Sequence, residues 1–162
     1  MVTRYATTND IAEIVRVINA AFRVEDFFID GNRTSEADIA ARMADPHACI
    51  LVAEDGAGPL AGAVVVDVHE FRGHFAMLSV DPPAQGRGVS RLLLNAVEEY
   101  CRAAACRSLE IEIVNLRQEL PAFYEAMGFA PAATAPFPDA FKLRRDAHMI
   151  VMSKPLQSGS SG

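Results

Sequence analysis

Val80-Asp81-Pro82-Pro83-Ala84-Gln85-Gly86-Arg87-Gly88-Val89-Ser90-Arg91-Leu92-Leu93 decides how this chain is read. It runs from a strand end through a proline-bearing turn and two glycines one residue apart into a helix. Glycine lets main chain approach an anion closely, and the first turn of a helix carries N–H groups with no intrahelical acceptor. Gln85 and Arg87 add side-chain donors. The stretch is therefore a place to hold a phosphate, and the flanking sequence has to say which one.

On its C-terminal side, Val89 to Arg102 reads as a long helix. Val89, Leu92, Leu93, Ala96, Val97 and Tyr100 recur at helical spacing and form one apolar face. On its N-terminal side lie three strands, Ala48 to Ala53, Leu60 to Val68 and His74 to Val80. Turns at Asp55-Gly56-Ala57-Gly58-Pro59 and Phe71-Arg72-Gly73 join them into an antiparallel meander. Alternation along the third strand puts His74, Ala76, Leu78 and Val80 on one face.

Further out, Thr3 to Ala6 reads as a first strand. Asn9 or Asp10 caps a helix with Ile11, Ile14, Val15, Ile18 and Phe22 on its apolar face. The segment from Val24 to Arg33 breaks that pattern. Ser35, with Asp38 three residues on, starts a second helix that buries Ile39 and Met43 and ends at Asp45-Pro46. Downstream, Leu109 to Val114 alternates as a strand with Leu109, Ile111 and Ile113 on one face. A short helix over Glu119 to Met127 stops at Gly128. Two strands, from Phe129 onward and from Ala147 to Met152, flank a proline-rich loop at Ala135-Pro136-Phe137-Pro138.

The order β-α-α-β-β-β-α-β-α-β-β predicts an α/β (α+β layered) domain. Its mixed, mostly antiparallel sheet has six to seven strands and about four helices on its faces. One domain over 1–157 accounts for the pattern, with Ser158-Gly159-Ser160-Ser161-Gly162 reading as an expression-tag remnant.

A formal charge of −6 excludes a phosphate-backbone binder, so no nucleic-acid partner is expected. No apolar run approaches the ~20 residues of a membrane span, and the start lacks a signal-peptide pattern. Cys49, Cys101 and Cys106 form no C-x-x-C and have no histidines at metal spacing. They read as reduced thiols of a cytoplasmic protein, with no metal site.

Two glycine-loop ligands can be set aside. A P-loop needs a Lys-Ser or Lys-Thr pair after its last glycine, and none follows here. A dinucleotide loop needs G-x-G-x-x-G after the first strand of a βαβ unit, whereas Gly86-Arg87-Gly88 follows a meander and continues Val89-Ser90-Arg91.

Gln85-Gly86-Arg87-Gly88-Val89-Ser90 resembles the [Q/R]-x-x-G-x-[G/A] motif of the GNAT superfamily of acetyl-CoA-dependent N-acetyltransferases. Ser90 stands where Gly or Ala is usual, a small residue that leaves pyrophosphate access open. Downstream, Asn115 after a strand and Phe123-Tyr124-Glu125-Ala126-Met127-Gly128-Phe129 are similar to the family's F-Y-x-x-x-G-F element. The resemblance covers Thr3 to Pro155 and implies the GNAT fold, acetyl-CoA as co-substrate and direct acetyl transfer to a primary amine in a ternary complex.

By that resemblance, backbone groups of Leu78 and Val80 bind the acetyl carbonyl and the pantetheine arm. Backbone N–H groups from Gly86 to Arg91 (Gly86, Arg87, Gly88, Val89, Ser90, Arg91), with Gln85, hold the pyrophosphate. Asn115 contacts the coenzyme arm, and Tyr124 is the general acid for the departing thiolate. His74, four residues before Leu78, occupies a position used by catalytic histidines in some members, with Glu70 the alternative base. A cysteine acyl intermediate is not expected, since no cysteine falls in these motifs.

Acceptor recognition is assigned to Phe27, Phe28 and Arg33, with Glu25, Asp26, Phe137, Asp139 and Phe141 nearby in sequence or in the later loop. Acids beside aromatics suit a cationic amine with an apolar body, while Arg33 suits a carboxylate. The acceptor is a small molecule, an amino acid or a peptide, and the family also contains homodimers. The competing reading is a non-catalytic acyl-CoA-binding sensor; a nucleotide-binding regulatory domain is a third.

Overall fold

The computed structural model of the chain describes residues 1–157, so the Ser158–Gly162 tail lies outside the described residues. Its elements are β1 (Val2–Tyr5), α1 (Ile11–Ala21), α2 (Glu36–Ala44), β2 (Ala48–Glu54), β3 (Leu60–His69), β4 (Arg72–Val80), α3 (Val89–Ala103), β5 (Ser108–Val114), α4 (Leu120–Ala126), β6 (Ala130–Pro136) and β7 (His148–Pro155). The seven strands form one sheet in the order β1-β2-β3-β4-β5-β7-β6. All pairings are antiparallel except β4 with β5.

Two apolar layers cover the two faces of that sheet. Ile14, Val17 and Ile18 of α1 and Ile39 of α2 pack on Ile50, Val52, Ala63, Val65 and Met77. On the other face, Leu93, Leu94, Val97 and Cys101 of α3 pack with Tyr124 of α4 on Leu51, Val64, Val66, Phe75, Leu109 and Ile111. β2 and β3 are covered on both sides, which is why they read as continuous apolar runs and not as alternation. Ser35 Oγ caps α2 as expected, accepting the Asp38 N–H at 3.1 Å. Asp10 precedes α1 without a side-chain cap bond to it; its carboxylate instead accepts the Thr7 N–H at 2.8 Å, closing the short turn that leads into the helix.

The buried face of α3 is rotated from the expected one. Val89, Leu93, Leu94, Val97, Glu98 and Cys101 are buried, while Leu92, Ala96 and Tyr100 are only half-buried. The helix lies across β2, β3 and β4, and its later turns point Glu98 and Cys101 toward the β4 and β7 side. Cys101 packs against Gly73, and Glu98 pairs with Lys154 of β7. The expected proline loop also starts later, because Ala135 and Pro136 pair with Met149 and His148 as the end of β6.

The departure that matters for function lies in β4. Alternation placed His74, Ala76, Leu78 and Val80 on one face, and a bulge breaks that pattern. Ala63 pairs with Ser79 while Val65 pairs with Ala76, so two steps of β3 oppose three of β4. Met77 takes up the extra residue at φ 55, in the left-handed region that non-glycine residues seldom occupy. Ser79 Oγ braces it by donating to the Met77 carbonyl at 2.9 Å. Ala76 and Met77 consequently both pack on the α1 side, and Leu78 and Val80 pack on the α3 side.

Candidate active site

A bulge increases local twist, and here it bends β4 away from β5. The two strands pair only at Arg72 with Ser108, Gly73 with Leu109 and His74 with Glu110. Beyond His74 they part, and a cavity of about 850 Å³ opens between them. That volume is within the usual range for a small-molecule or cofactor site. His74 through Leu78 and Val80 line one side, and Ile111 through Val114 the other.

The glycine loop forms one end of the cavity. Gly86 and Gly88 have φ of 80° and 78°, a conformation that only glycine adopts without strain, and Gly88 is the N-cap of α3. The first backbone N–H of this helix with an internal acceptor is that of Leu92, which donates to the Gly88 carbonyl at 3.1 Å. The N–H groups of residues 86–91 have no protein acceptor among the described residues. Six consecutive free donors at the positive end of a fifteen-residue helix make an anion cradle. Arg16 anchors its approach by donating to both Asp81 carboxylate oxygens, at 3.2 and 3.0 Å.

Tyr124 of α4 closes the cavity from the β5 side. Its ring is wedged among Phe75, Phe123 and Phe129. Only 5% of the residue is exposed, and it reaches the cavity wall without any side-chain hydrogen bond among the described residues. Burial pushes the phenol upward from its ordinary range, with the Arg117 guanidinium opposing, so the hydroxyl keeps its proton at neutral pH. Arg117, in the turn before α4, also donates to Glu119 at 2.9 Å and to Glu25 at 3.4 Å. Glu25 is buried against the same cavity; burial raises its pKa while Arg117 and Arg33 pull the other way.

The end of the cavity beside Arg33 and Phe137 is walled by two segments that are stitched together. Ile29 and Leu143 form a β-bridge. The Asp30 N–H donates to the Lys142 carbonyl at 3.1 Å, and the Arg144 N–H donates to the Phe28 carbonyl at 2.8 Å. Asp30 and Arg144 form an ion pair across the same seam, and Phe28 meets Phe137 edge to face.

His74 sits where β4 and β5 part. Its Nδ1 lies 3.5 Å from Asp67 Oδ1, and its Nε2 lies 3.9 Å from Glu112 Oε1. The Asp67 contact raises the imidazole pKa above 6.5, against burial, with Glu112 and Glu110 adding to the rise.

Of the residues expected at the site, Leu78, Val80, Gln85, Gly86, Gly88, Val89, Ser90, Arg91, Tyr124, His74 and Arg33 line this one cavity. Others stand outside its lining. Asn115 Oδ1 accepts the His148 N–H at 2.9 Å, tying the end of β5 to β7. The Arg87 side chain turns to Asp55 at 2.6 Å. Glu70 occupies the tight β3–β4 turn at φ 56, below the point where the strands separate. Phe28 is fully buried behind the wall, and Phe27 is 46% exposed beneath Arg145. Three residues were not anticipated: Asp67, Glu112 and Arg117. Alternation in Leu109 to Val114 already set Glu110 and Glu112 opposite the apolar face. The strand separation that opens this side to a ligand left no mark in that alternation.

The chain matches the acetyltransferase (GNAT) family model over residues 13–129. It is 33% identical over 134 residues to the mycothiol acetyltransferase of Propionibacterium freudenreichii subsp. shermanii, covering 78% of this chain and 42% of the relative. The Nocardia farcinica enzyme of the same name is 33% identical over 138 residues, covering 79% and 44%. The chain thus spans less than half the length of these curated relatives. Among solved structures, the ribosomal-protein-S18-alanine N-acetyltransferase of Escherichia coli superposes with a TM-score of 0.78 at 17% identity, over 99% of this chain and 96% of that one. A GNAT superfamily phosphinothricin acetyltransferase from Sinorhizobium meliloti, in complex with AcCoA, gives a TM-score of 0.77 at 20% identity, over 99% and 90%. Parted strands, a glycine-loop cradle and a buried tyrosine thus coincide with a family match across most of the sequence, and the chain belongs to the GNAT acetyltransferase family.

Proposed function

We propose that the chain transfers the acetyl group of acetyl-CoA to the primary amine of a small molecule, directly, within a ternary complex. One observation carries this reading: a single cavity joins the free backbone donors of Gly86, Gly88, Val89, Ser90 and Arg91 at the head of α3 to the Tyr124 phenol, through the gap between β4 and β5. A pyrophosphate seated at residues 86–91 would send its pantetheine arm along that gap. Backbone of Leu78 and Val80, unpaired on the side that faces β5, suits the acetyl carbonyl and the arm.

Acetyl-CoA supplies an activated carbonyl and a thiolate leaving group. The chain supplies the rest. His74 would take a proton from the incoming ammonium, since a neutral amine is needed for attack. The amine nitrogen bonds to the carbonyl carbon, the carbon–sulfur bond breaks, and Tyr124 protonates the departing sulfur. Arg117 assists by offsetting part of the rise that burial imposes on the phenol.

A small acceptor is favoured because the walls around Arg33 and Phe137 are bridged at Ile29 and Leu143. An extended polypeptide lying across the cavity would have to break that seam, whereas a compact amine need not.

Thiol release from acetyl-CoA against a panel of small amines and short peptides tests the assignment. Turnover with compact amines is the expected result. Coenzyme A binding without turnover on any amine would support a non-catalytic acyl-CoA sensor instead.

A further inference from the structure

We infer that Arg33 seats a carboxylate of the acceptor, so that the amine acetylated by this chain belongs to an amino-acid-like molecule; this rests on the acetyl-transfer reading above. Arg33 lies between α1 and α2, and α1 fixes its place. Asn19 of α1 holds the adjoining main chain twice. Its Oδ1 accepts the Thr34 N–H at 3.0 Å, and its Nδ2 donates to the Thr34 carbonyl at 3.2 Å. Phe22, at the end of α1, lies beside the guanidinium, with 5.3 Å from Cζ to the ring centroid. Phe22 and Arg33 both line the cavity.

The charges at this end of the cavity leave Arg33 without a partner. Arg23 pairs with Asp26, Arg42 with Asp38, Arg117 with Glu25 and Glu119, and Asp30 with Arg144. Arg33, Lys142 and Asp139 also line the cavity, and none of the three has an ion pair or a side-chain hydrogen bond among the described residues. Two cations against one carboxylate leave one positive charge, which matches a monoanion. Desolvation by the surrounding protein works against the Arg33 charge and lowers its pKa, with Glu25, Asp38 and Asp139 pulling the other way. An anion bound here offsets that cost. The planar guanidinium can give a carboxylate two parallel N–H bonds, which a lysine cannot.

Its position sets this anion apart from the coenzyme and from the reacting atoms. The charges bearing on Arg33 are Glu25, Arg42, Asp38 and Asp139, and none belongs to the glycine loop that would take the pyrophosphate. Arg117 bears on both Tyr124 and Glu25, whereas Arg33 bears on Glu25 and not on Tyr124. Arg33 therefore stands beyond Arg117 as seen from the phenol. An acceptor with its amine at the thioester and its carboxylate on Arg33 needs a spacer between the two. Phe22 and Phe137 give that spacer an apolar wall. The class is an amino carboxylate whose reacting amine is remote from the carboxylate, as in an ω-amino acid or a lysine-like side chain.

Thiol release from acetyl-CoA is measured for ω-amino carboxylates from glycine to 6-aminohexanoate, each beside the alkylamine of equal carbon count. The longer amino carboxylates should exceed their alkylamines in kcat/KM by at least about tenfold, the range for a hydrogen bond between charged groups, with the gain in KM. Arg33→Ala should erase that ratio, Arg33→Lys should keep part of it, and Arg33→Glu should turn it in favour of diamines. Circular dichroism should be unchanged, since the Arg33 side chain is open to the cavity. A ratio near one in the wild-type protein, or one that survives in Arg33→Ala, overturns the assignment. Binding is read separately with hexanoate, which has no amine, on ¹⁵N-arginine-labelled protein saturated with coenzyme A in phosphate-free buffer. Hexanoate should move the Arg33 Nε–H resonance, assigned by its loss in Arg33→Ala, and 1-hexanol should not. Preference for hexyl phosphate over hexanoate would overturn the carboxylate. Hexanoate binding without turnover on any amine sinks the transferase reading and leaves the anion seat; turnover indifferent to the carboxylate sinks the seat alone.

Discussion

Glu25 and Arg117, ninety-two positions apart in the chain, meet at 3.4 Å and tie the segment after α1 to the turn before α4. Both line the cavity, so this link lies in its wall. Glu25 is 8% exposed and Arg117 is its ion-pair partner. A buried carboxylate that loses its partner costs far more than the pair itself contributes. Arg117→Ala should therefore destabilise the fold by about 3 kcal/mol in urea unfolding. Adding Glu25→Gln should recover much of that loss. A single variant as stable as wild type would show that Glu25 is not held charged.

Tyr124→Phe removes only a hydroxyl that has no protein partner among the described residues, so packing and acetyl-CoA affinity should stay unchanged. Turnover should fall by at least about a hundredfold, the lower range for a positioned general acid. Steady-state kinetics beside calorimetric binding of acetyl-CoA separate the two effects. Undiminished turnover removes Tyr124 from the acid role.

Gly88→Asp sets a carboxylate at the mouth of the anion cradle and forces a side chain onto φ 78. Acetyl-CoA binding should vanish in calorimetry. Gly88→Ala, which adds strain without charge, should cost about 1 kcal/mol of stability and weaken binding less. Retained affinity in the aspartate variant would move the pyrophosphate elsewhere.

His74 is raised above 6.5 chiefly by Asp67. The acid limb of kcat/KM should therefore have its midpoint above pH 6.5, rising as the ring deprotonates. Asp67→Asn should shift that limb toward lower pH. The linked stability has the opposite dependence on pH. A raised folded-state pKa contributes stability that is complete below about pH 6.5 and lost as pH rises through the folded value. The stability gap between wild type and Asp67→Asn should thus close on the alkaline side of that window. A gap that widens with pH would mean His74 is not the group involved.

Ser35 offers a control far from chemistry. Its hydroxyl caps α2 through the Asp38 N–H at 3.1 Å, so Ser35→Ala should cost about 1 kcal/mol in urea unfolding and leave coenzyme binding alone.

Much of this was legible from local chemistry. Apolar spacing gave α1 and α3, Ser35 with Asp38 gave the start of α2, and glycines at 86 and 88 gave the cradle. Each depends on neighbours within a turn or two of chain. The face of α3 was misplaced because its later turns point toward the β4 and β7 side, where Cys101 meets Gly73. The face of β4 was misplaced because the extra residue at Met77 is visible only against β3.

By itself, the sequence determined the order of the elements, the glycine loop at the head of α3 and the tyrosine that follows it. Those are set by periodicity, backbone freedom at glycine and residue type, all of them short-range. Only the tertiary structure decided that β4 and β5 part at His74, that Asp67 and Glu112 converge on that histidine, and that Arg117 reaches Glu25. These depend on strand register and on contacts between distant segments. Register is a property of two strands, and neither strand carries it alone.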